Sequence, residues 1–307
     1  MPASAPPARI LTDFLDVYAI AELELIREVT KAVQKGVATD DQLAAALEAT
    51  RLRGRVEQIV RRLILAIATA GASMLLDAVV HGGREAMRDL SELLGGKGTD
   101  YAAPINQGAL DNLARSLSDT LTPAHLSITR VIDDVYKQVI GRAAVSTLTG
   151  TTTRRETAQR ALNEFAAKGV TGFTDRRGRN WELASYAEMA ARAATARAAV
   201  DAHLDRLAAE GMTLVYVSDS PQECPLCRPW EGKVLSIAGT GGPGEVTTEH
   251  ALTLEPVQLD IAGSVEFARA AGFMHPGCTH SLSAYLHGAT KVPTATENPQ
   301  GYEDRQQ

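Results

Sequence analysis

The stretch Gly211-Met-Thr-Leu-Val-Tyr-Val-Ser-Asp-Ser-Pro-Gln-Glu-Cys-Pro-Leu-Cys227 decides how the chain divides. Before Gly211 the sequence reads as helix. Thr213–Val217 is a short run of β-branched and aromatic residues, the composition of a strand. From there to His287 the chain is rich in glycine, proline, cysteine and histidine. The expected fold is mainly α with a small C-terminal α+β module.

Working back towards the N-terminus, Ile10, Phe14, Val17 and Leu25 recur near helical spacing, and Gly36 reads as the stop. Thr39-Asp40-Asp41-Gln42 has the form of a capping box. An alanine- and leucine-rich helix follows to about Leu94, with a loop or hinge at 95–106. Thr122-Pro123 reads as the start of another helix, since proline suits a first turn where its missing N–H needs no partner. Ile128, Val131, Ile132, Val135 and Val139 form its apolar stripe. Thr153–Glu156 and Ser185–Glu188 repeat the capping-box pattern. Between them, Gly172–Trp181 reads as a tight turn joining two short extended pieces. The expected organisation is a disordered start over 1–8, a helical region over 9–150, further helix over 151–210, the Cys/His-rich module over 211–290, and a disordered tail over 291–307.

The three cysteines of the chain all fall between 224 and 278. Cys224-Pro225-Leu226-Cys227 is a C-x-x-C pair, and His275-Pro276-Gly277-Cys278-Thr279-His280 comes about fifty residues on. Together they offer three thiolates and two imidazoles. Zinc takes four such ligands as a tetrahedron, and a two-residue spacer lets one turn aim two side chains at one ion. The preferred set is Cys224, Cys227, His275 and Cys278, with His280 as the alternative fourth ligand. Ordinary buried thiols and a redox pair are the competing readings; the redox reading lacks the surrounding βαβ unit it needs. The intervening loop has few large apolar side chains, and a structural zinc can contribute on the order of 10 kcal/mol to such a unit.

Composition narrows the function. Over 307 residues the net charge is −6, with 45% hydrophobic and 22% charged residues, which weighs against coating DNA through an overall positive field. The apolar run Leu63–Leu76 is interrupted by Thr69, Gly71 and Ser73 and falls short of the about 20 residues of a membrane span, so it reads as a buried helix. Gly239-Thr-Gly-Gly-Pro-Gly244 fits a dinucleotide fingerprint only in letters, because Glu245-Val-Thr-Thr-Glu-His250 is a poor helix start. The arginine clusters at 154–155 and 176–179 read as a solvated helix start and a charged turn. Glu223, Glu231 and His250 are acid–base groups near the cysteines, but no H-E-x-x-H is present, and a site with three cysteine ligands leaves no open position for water.

Three further stretches carry a resemblance. Gly169-Val-Thr-Gly-Phe-Thr-Asp-Arg-Arg-Gly-Arg-Asn-Trp181 is followed by Ser185-Tyr-Ala-Glu-Met189 and Arg192. Val215-Tyr-Val-Ser218 leads through Cys227-Arg-Pro-Trp-Glu-Gly-Lys-Val234 to Cys278-Thr-His-Ser281 and Tyr285-Leu-His-Gly288. In order and spacing these resemble the phage minor capsid protein 2 family and, more loosely, the Mu F-like minor head proteins of tailed phages. The resemblance implies a structural, non-enzymatic component of the virion, assembled in the host cytoplasm into the phage head. Its implied partners are portal or major capsid proteins, with packaged DNA as a candidate contact, in an oligomeric particle without a membrane. The ligand set itself rests on chemistry; the resemblance supports only its neighbourhood. Trp181, Trp230 and Tyr285 are expected to pack the module, and Gly232 and Lys233 to shape the turn after the C-x-x-C. Two rival functions are a zinc-stapled nuclease using His250 and Asp260, and a DNA-binding head protein.

Overall fold

A computed structural model of the chain describes residues 6–38, 42–95, 105–149, 153–168, 173–174, 180–220, 224–275, 278–292 and 294–295. Among the described residues helix dominates up to residue 209, and every strand but one short pair lies beyond it. The expected fold class is therefore found.

After a 3-10 turn at Ala8–Leu11, α1 spans Thr12–Val37. Its buried stripe is Phe14, Tyr18, Ala21, Leu25, Val29 and Val33, with Tyr18 rather than Val17 on the inner face. Gly36 serves less as a stop than as a gap: an added Cβ would meet the Tyr136 hydroxyl at 2.5 Å. The capping box expected at Thr39–Asp41 lies outside the described residues. Helix α2 runs Gln42–Leu94, and Gly95 beyond it has φ +63, the left-handed conformation that ends helices. By length and composition α2 is apolar enough to cross a membrane. Leu63, Ile67, Met74 and Leu75 are buried while Leu65 and Leu76 are exposed, so the helix is buried on one face rather than all round.

The start expected at Thr122-Pro123 is corrected: α3 is continuous over Gln107–Thr149 with Pro123 inside it. Leu117 and Leu121, ahead of the proline, continue the buried row of Ala124, Ile128, Ile132 and Val139, and that burial overrides a local break signal. The Thr122 hydroxyl turns back to donate to the Ser118 carbonyl (2.7 Å) instead of capping. Helix α4, Arg154–Lys168, opens with the expected box: Glu156 N–H donates to Thr153 Oγ1 (3.2 Å) and Thr153 N–H to Glu156 Oε2 (3.0 Å). Strands β1 (Phe173–Thr174) and β2 (Asn180–Trp181) pair antiparallel, as the two extended pieces around 172–181 require. The turn between them and the Trp181 side chain lie outside the described residues. Helix α5, Leu183–Ala209, starts two residues before Ser185, because buried Leu183 joins the helix and Glu182 accepts the first bond, from Tyr186 N–H.

The remaining elements are β3 (Leu214–Val217), a 3-10 turn at Arg228–Trp230, β4 (Val234–Ser236), β5 (Gly244–Glu249), β6 (Pro256–Ile261), α6 (Val265–Ala270) and β7 (Leu282–Ala284). The sheet order is β4-β3-β7, antiparallel throughout, and β5 and β6 form a separate six-pair hairpin. Strand β3 is buried on both faces. Val215 and Val217 pack with Leu235, Leu282, Trp230, Phe273 and, from the helices, Ala86, Leu90, Leu204 and Leu207. Leu214 and Tyr216 point the other way, into a cluster with Ile261, Tyr285, Val246 and Leu259. The residues between Cys227 and Cys278 thus contribute to a packed core, richer than their composition suggested.

The chain clusters into two compact units. One comprises 1–10, 75–113 and 192–307; the other comprises 11–74 and 114–191. Helices α2, α3 and α5 contribute to both. In the second unit, Arg55 bridges Glu28 and Glu48, Arg53 pairs with Asp133, and the buried Tyr18 hydroxyl meets His125 Nε2 at 2.8 Å. The Cys/His-rich module lies in the first.

Candidate metal centre

The pairing of β3 with β7 explains why two stretches far apart in sequence meet. Val217 faces Leu282 in the ladder, so the chain leaving β3 and the chain entering β7 lie at the same end of the sheet. Three bonds extend this contact beyond the strands: Ser218 N–H to Ser281 O (3.0 Å), Ser281 N–H to Ser218 Oγ (3.0 Å), and the Ser220 and Thr279 hydroxyls at 2.8 Å. Ser218, Thr279 and Ser281 enter the sequence reading only as parts of the resembling stretches, and Ser220 only as part of the stretch that divides the chain, since serine near a strand end carries no specific signal of its own.

Each cysteine segment has its own turn. Cys227 N–H and Arg228 N–H both donate to the Cys224 carbonyl (3.0 Å), which folds the C-x-x-C into a tight loop. Pro229 then suits the 3-10 turn that comes next. Gly232, at φ +66, lets the chain reverse so that its N–H reaches Val217 O and Lys233 N–H reaches Trp230 O, the shaping expected of that pair. On the other side Cys278 N–H donates to His275 O (2.9 Å). Pro276 and Gly277 lie outside the described residues. Trp230 is buried edge-on to Phe267 and tilted against Phe273, and Tyr285 is buried in the second cluster.

The side chains converge. Cys224 Sγ lies 2.8 Å from His275 Nε2, Cys227 Sγ 3.6 Å from Cys278 Sγ, and Cys278 Sγ 3.4 Å from His280 Nδ1. Two trios, Cys224–Cys227–His275 and Cys227–Cys278–His280, each bring their ligand atoms within 4.8 Å of one another, and Cys227 belongs to both. All three thiols are free of disulfide. A tetrahedral ion with metal–sulfur bonds of about 2.3 Å sets its sulfurs about 3.8 Å apart, close to the Cys227–Cys278 separation. By donor chemistry and spacing the cluster could hold a metal ion.

The electrostatics belong to a close thiol–imidazole set. The Cys227 thiol is pushed up to about 12, first by its hydrogen bond to Cys278 and then by burial, while the same bond lowers Cys278. Burial opposes charge on His280, yet hydrogen bonds to Cys227 and Glu231 outweigh it and hold the imidazole above its ordinary value. Glu231 is 4% exposed, and its Oε1 bonds His280 Nε2. The signal for it was faint: an acid placed between Trp230 and the left-handed Gly232.

Among the described residues, the two groups considered for a nuclease, His250 and Asp260, lie apart. His250 Nδ1 accepts from the N–H groups of Leu252 and Thr253 (3.3 Å each), closing the tip of the β5–β6 hairpin. Asp260 pairs across from Glu245 at the other end of that ladder, about 15 Å away at roughly 3.3 Å per residue. Glu223 and Arg176–Arg179 lie outside the described residues. The stretch 239–243 is a loop that leads into strand β5 at Gly244, not into a helix.

The class defined by these features is a helical protein with a partly buried cysteine–histidine cluster pinned to one end of a small sheet. No curated protein and no solved structure matches the chain. The sequence model of phage minor capsid protein 2 matches residues 8–307. The chain belongs to the phage minor capsid protein 2 family, and so to the components of the virion.

Proposed function

We propose that the chain is a structural, portal-associated protein of the phage head, acting in head assembly and genome packaging, with the 211–290 module stapled by one zinc ion. The observation that carries the reading is family membership across nearly the whole chain. The metal part is supported by donors from segments 51 residues apart meeting beside the sheet. Cys224, Cys227 and Cys278, with a histidine from His275 or His280, supply the four ligands. The ion would brace the turns at the sheet end, and no group among the ligands is left to activate water. On this reading the protein is not an enzyme. It assembles in the host cytoplasm, contacts portal or major capsid subunits in an oligomeric particle, and reaches packaged DNA from the inner side of the shell.

The test is deletion of its gene in the phage that carries it, with imaging of the particles and mass spectrometry of purified heads. The expected result is a low-copy head protein whose loss leaves heads unassembled or without DNA. Normal filled particles from the deletion would overturn the reading.

A further inference from the structure

Five donors, in two trios that share Cys227, are on offer for a four-coordinate ion, and the surroundings of the two histidines differ. His280 is 6% exposed, and its two ring nitrogens face opposite ways: Nδ1 towards the Cys278 sulfur at 3.4 Å, and Nε2 onto Glu231 Oε1. A carboxylate only accepts hydrogen bonds, so the proton sits on Nε2 and the lone pair on Nδ1 points at the thiols. An imidazole oriented in this way, one nitrogen donated to a carboxylate and the other free to bind, is the arrangement that fixes metal-ligating histidines. Glu231 is itself held in place: it is 4% exposed and its N–H donates to Arg228 O, within the turn that begins at Cys227. The His280–Glu231 bond therefore joins the two ligand-bearing segments beside the cysteines. His275, by contrast, is half-buried, and its Nε2 contacts the Cys224 sulfur at 2.8 Å.

We propose that His280, through Nδ1, is the histidine ligand alongside Cys224, Cys227 and Cys278, that Glu231 is the positioning residue that fixes it, and that His275 stays outside the coordination sphere as a hydrogen-bond donor to Cys224. The proposal rests on the metal reading above and goes beyond it by choosing the ligand and its orienting partner.

The full-length protein is loaded with cobalt(II), whose visible bands report the ligand set, and zinc affinity is measured by competition with a chromophoric chelator. H280A changes the cobalt spectrum, whereas H275A leaves it as in wild type. E231Q keeps the wild-type bands but binds zinc roughly 10–100-fold more weakly, and E231D recovers part of that loss. A spectrum altered by H275A and not by H280A, or wild-type zinc affinity in E231Q, would overturn the proposal. Because the buried variants can fail to fold, nitrogen-15 spectra of histidine-labelled wild-type protein with and without zinc give a reading free of mutation. A zinc-dependent shift at His280 Nδ1 supports the assignment, and a shift confined to His275 ends it. Wild-type protein that takes up neither cobalt nor zinc refutes the metal reading itself, an outcome distinct from metal bound through the wrong histidine.

Discussion

Asp89 of α2 and His203 of α5 are both buried, 7% and 0% exposed, and they meet beneath β7. Asp89 Oδ2 accepts the Ala284 N–H at 2.7 Å and lies 3.6 Å from His203 Nε2. Burial dominates both titrations: it raises Asp89 to about 6, with the Ala284 bond only partly offsetting it, and lowers His203 to about 4. Both groups are neutral only between about 4 and 6; above that range Asp89 is charged while His203 stays neutral, so the contact is not an ion pair. The raised Asp89 contributes stability that is full below the ordinary carboxylate range and is lost as pH rises through about 6. The lowered His203 contributes stability that is full above its ordinary value and is lost as pH falls towards about 4. Between about 4 and 6 the two oppose each other. D89N should therefore be more stable than wild type at pH 7.5 by about 1–2 kcal/mol, the gain shrinking below pH 6; urea titrations at pH 5 and 7.5 measure it, and an equal effect at both would refute the assignment. Gly82, seven residues before Asp89 on the same helix, sits where α2 crosses α5: an added Cβ would lie 1.9 Å from the Ala199 carbonyl oxygen. Backbone cannot swing aside as a side chain does, so G82A should cost about 1–3 kcal/mol and lower the midpoint of thermal unfolding.

Among the elements, α3 shows what a proline inside a buried helix costs. Pro123 lacks the N–H that would reach the carbonyl four residues back, yet Leu121 and Ala124 on either side of it are 0% and 1% exposed. P123A should restore that bond and stabilise the protein by about 1–3 kcal/mol, read from denaturant midpoints; unchanged stability would mean that the helix has already adapted to its absence. The same helix marks the limit of what a linear reading recovers. The Thr153–Glu156 box, the Leu214–Val217 strand and the pairing across 173–181 were legible because each signal is complete within a few residues. Pro123 misled, since a local breaker carries no record of the buried row on both sides of it. The approach of Cys224, Cys227, His275, Cys278 and His280 to one another, found as two trios that share Cys227, was legible from residue types alone. Glu231 and Asp89 were not, because their partners, His280 and Ala284, lie 49 and 195 residues away and no local pattern records such a distance.

At the scale of the molecule, the module has two sources of order: a packed core of Trp230, Phe273, Leu235 and Leu282, and the cysteine–histidine cluster. If the cluster holds the proposed zinc, removing it should loosen the module without unfolding the chain. Purified protein is expected to hold about one zinc per chain. Stripping it with a chelator, or the substitution C227S, should speed protease cleavage after Gly211 while the helical circular dichroism signal changes little. Protease resistance unaltered in metal-free protein would argue that the core alone suffices. The sheet order adds a consequence in time. Strand β3 can zip to β4 as soon as a short hairpin has left the ribosome, but its other flank waits for β7, whose approach is marked by the Ser218–Ser281 bond spanning 63 positions. Throughout that interval Cys224 and Cys227 are nascent thiols without their late-arriving partners. A chain truncated before Cys278 would keep every long helix and still be unable to close its last lock.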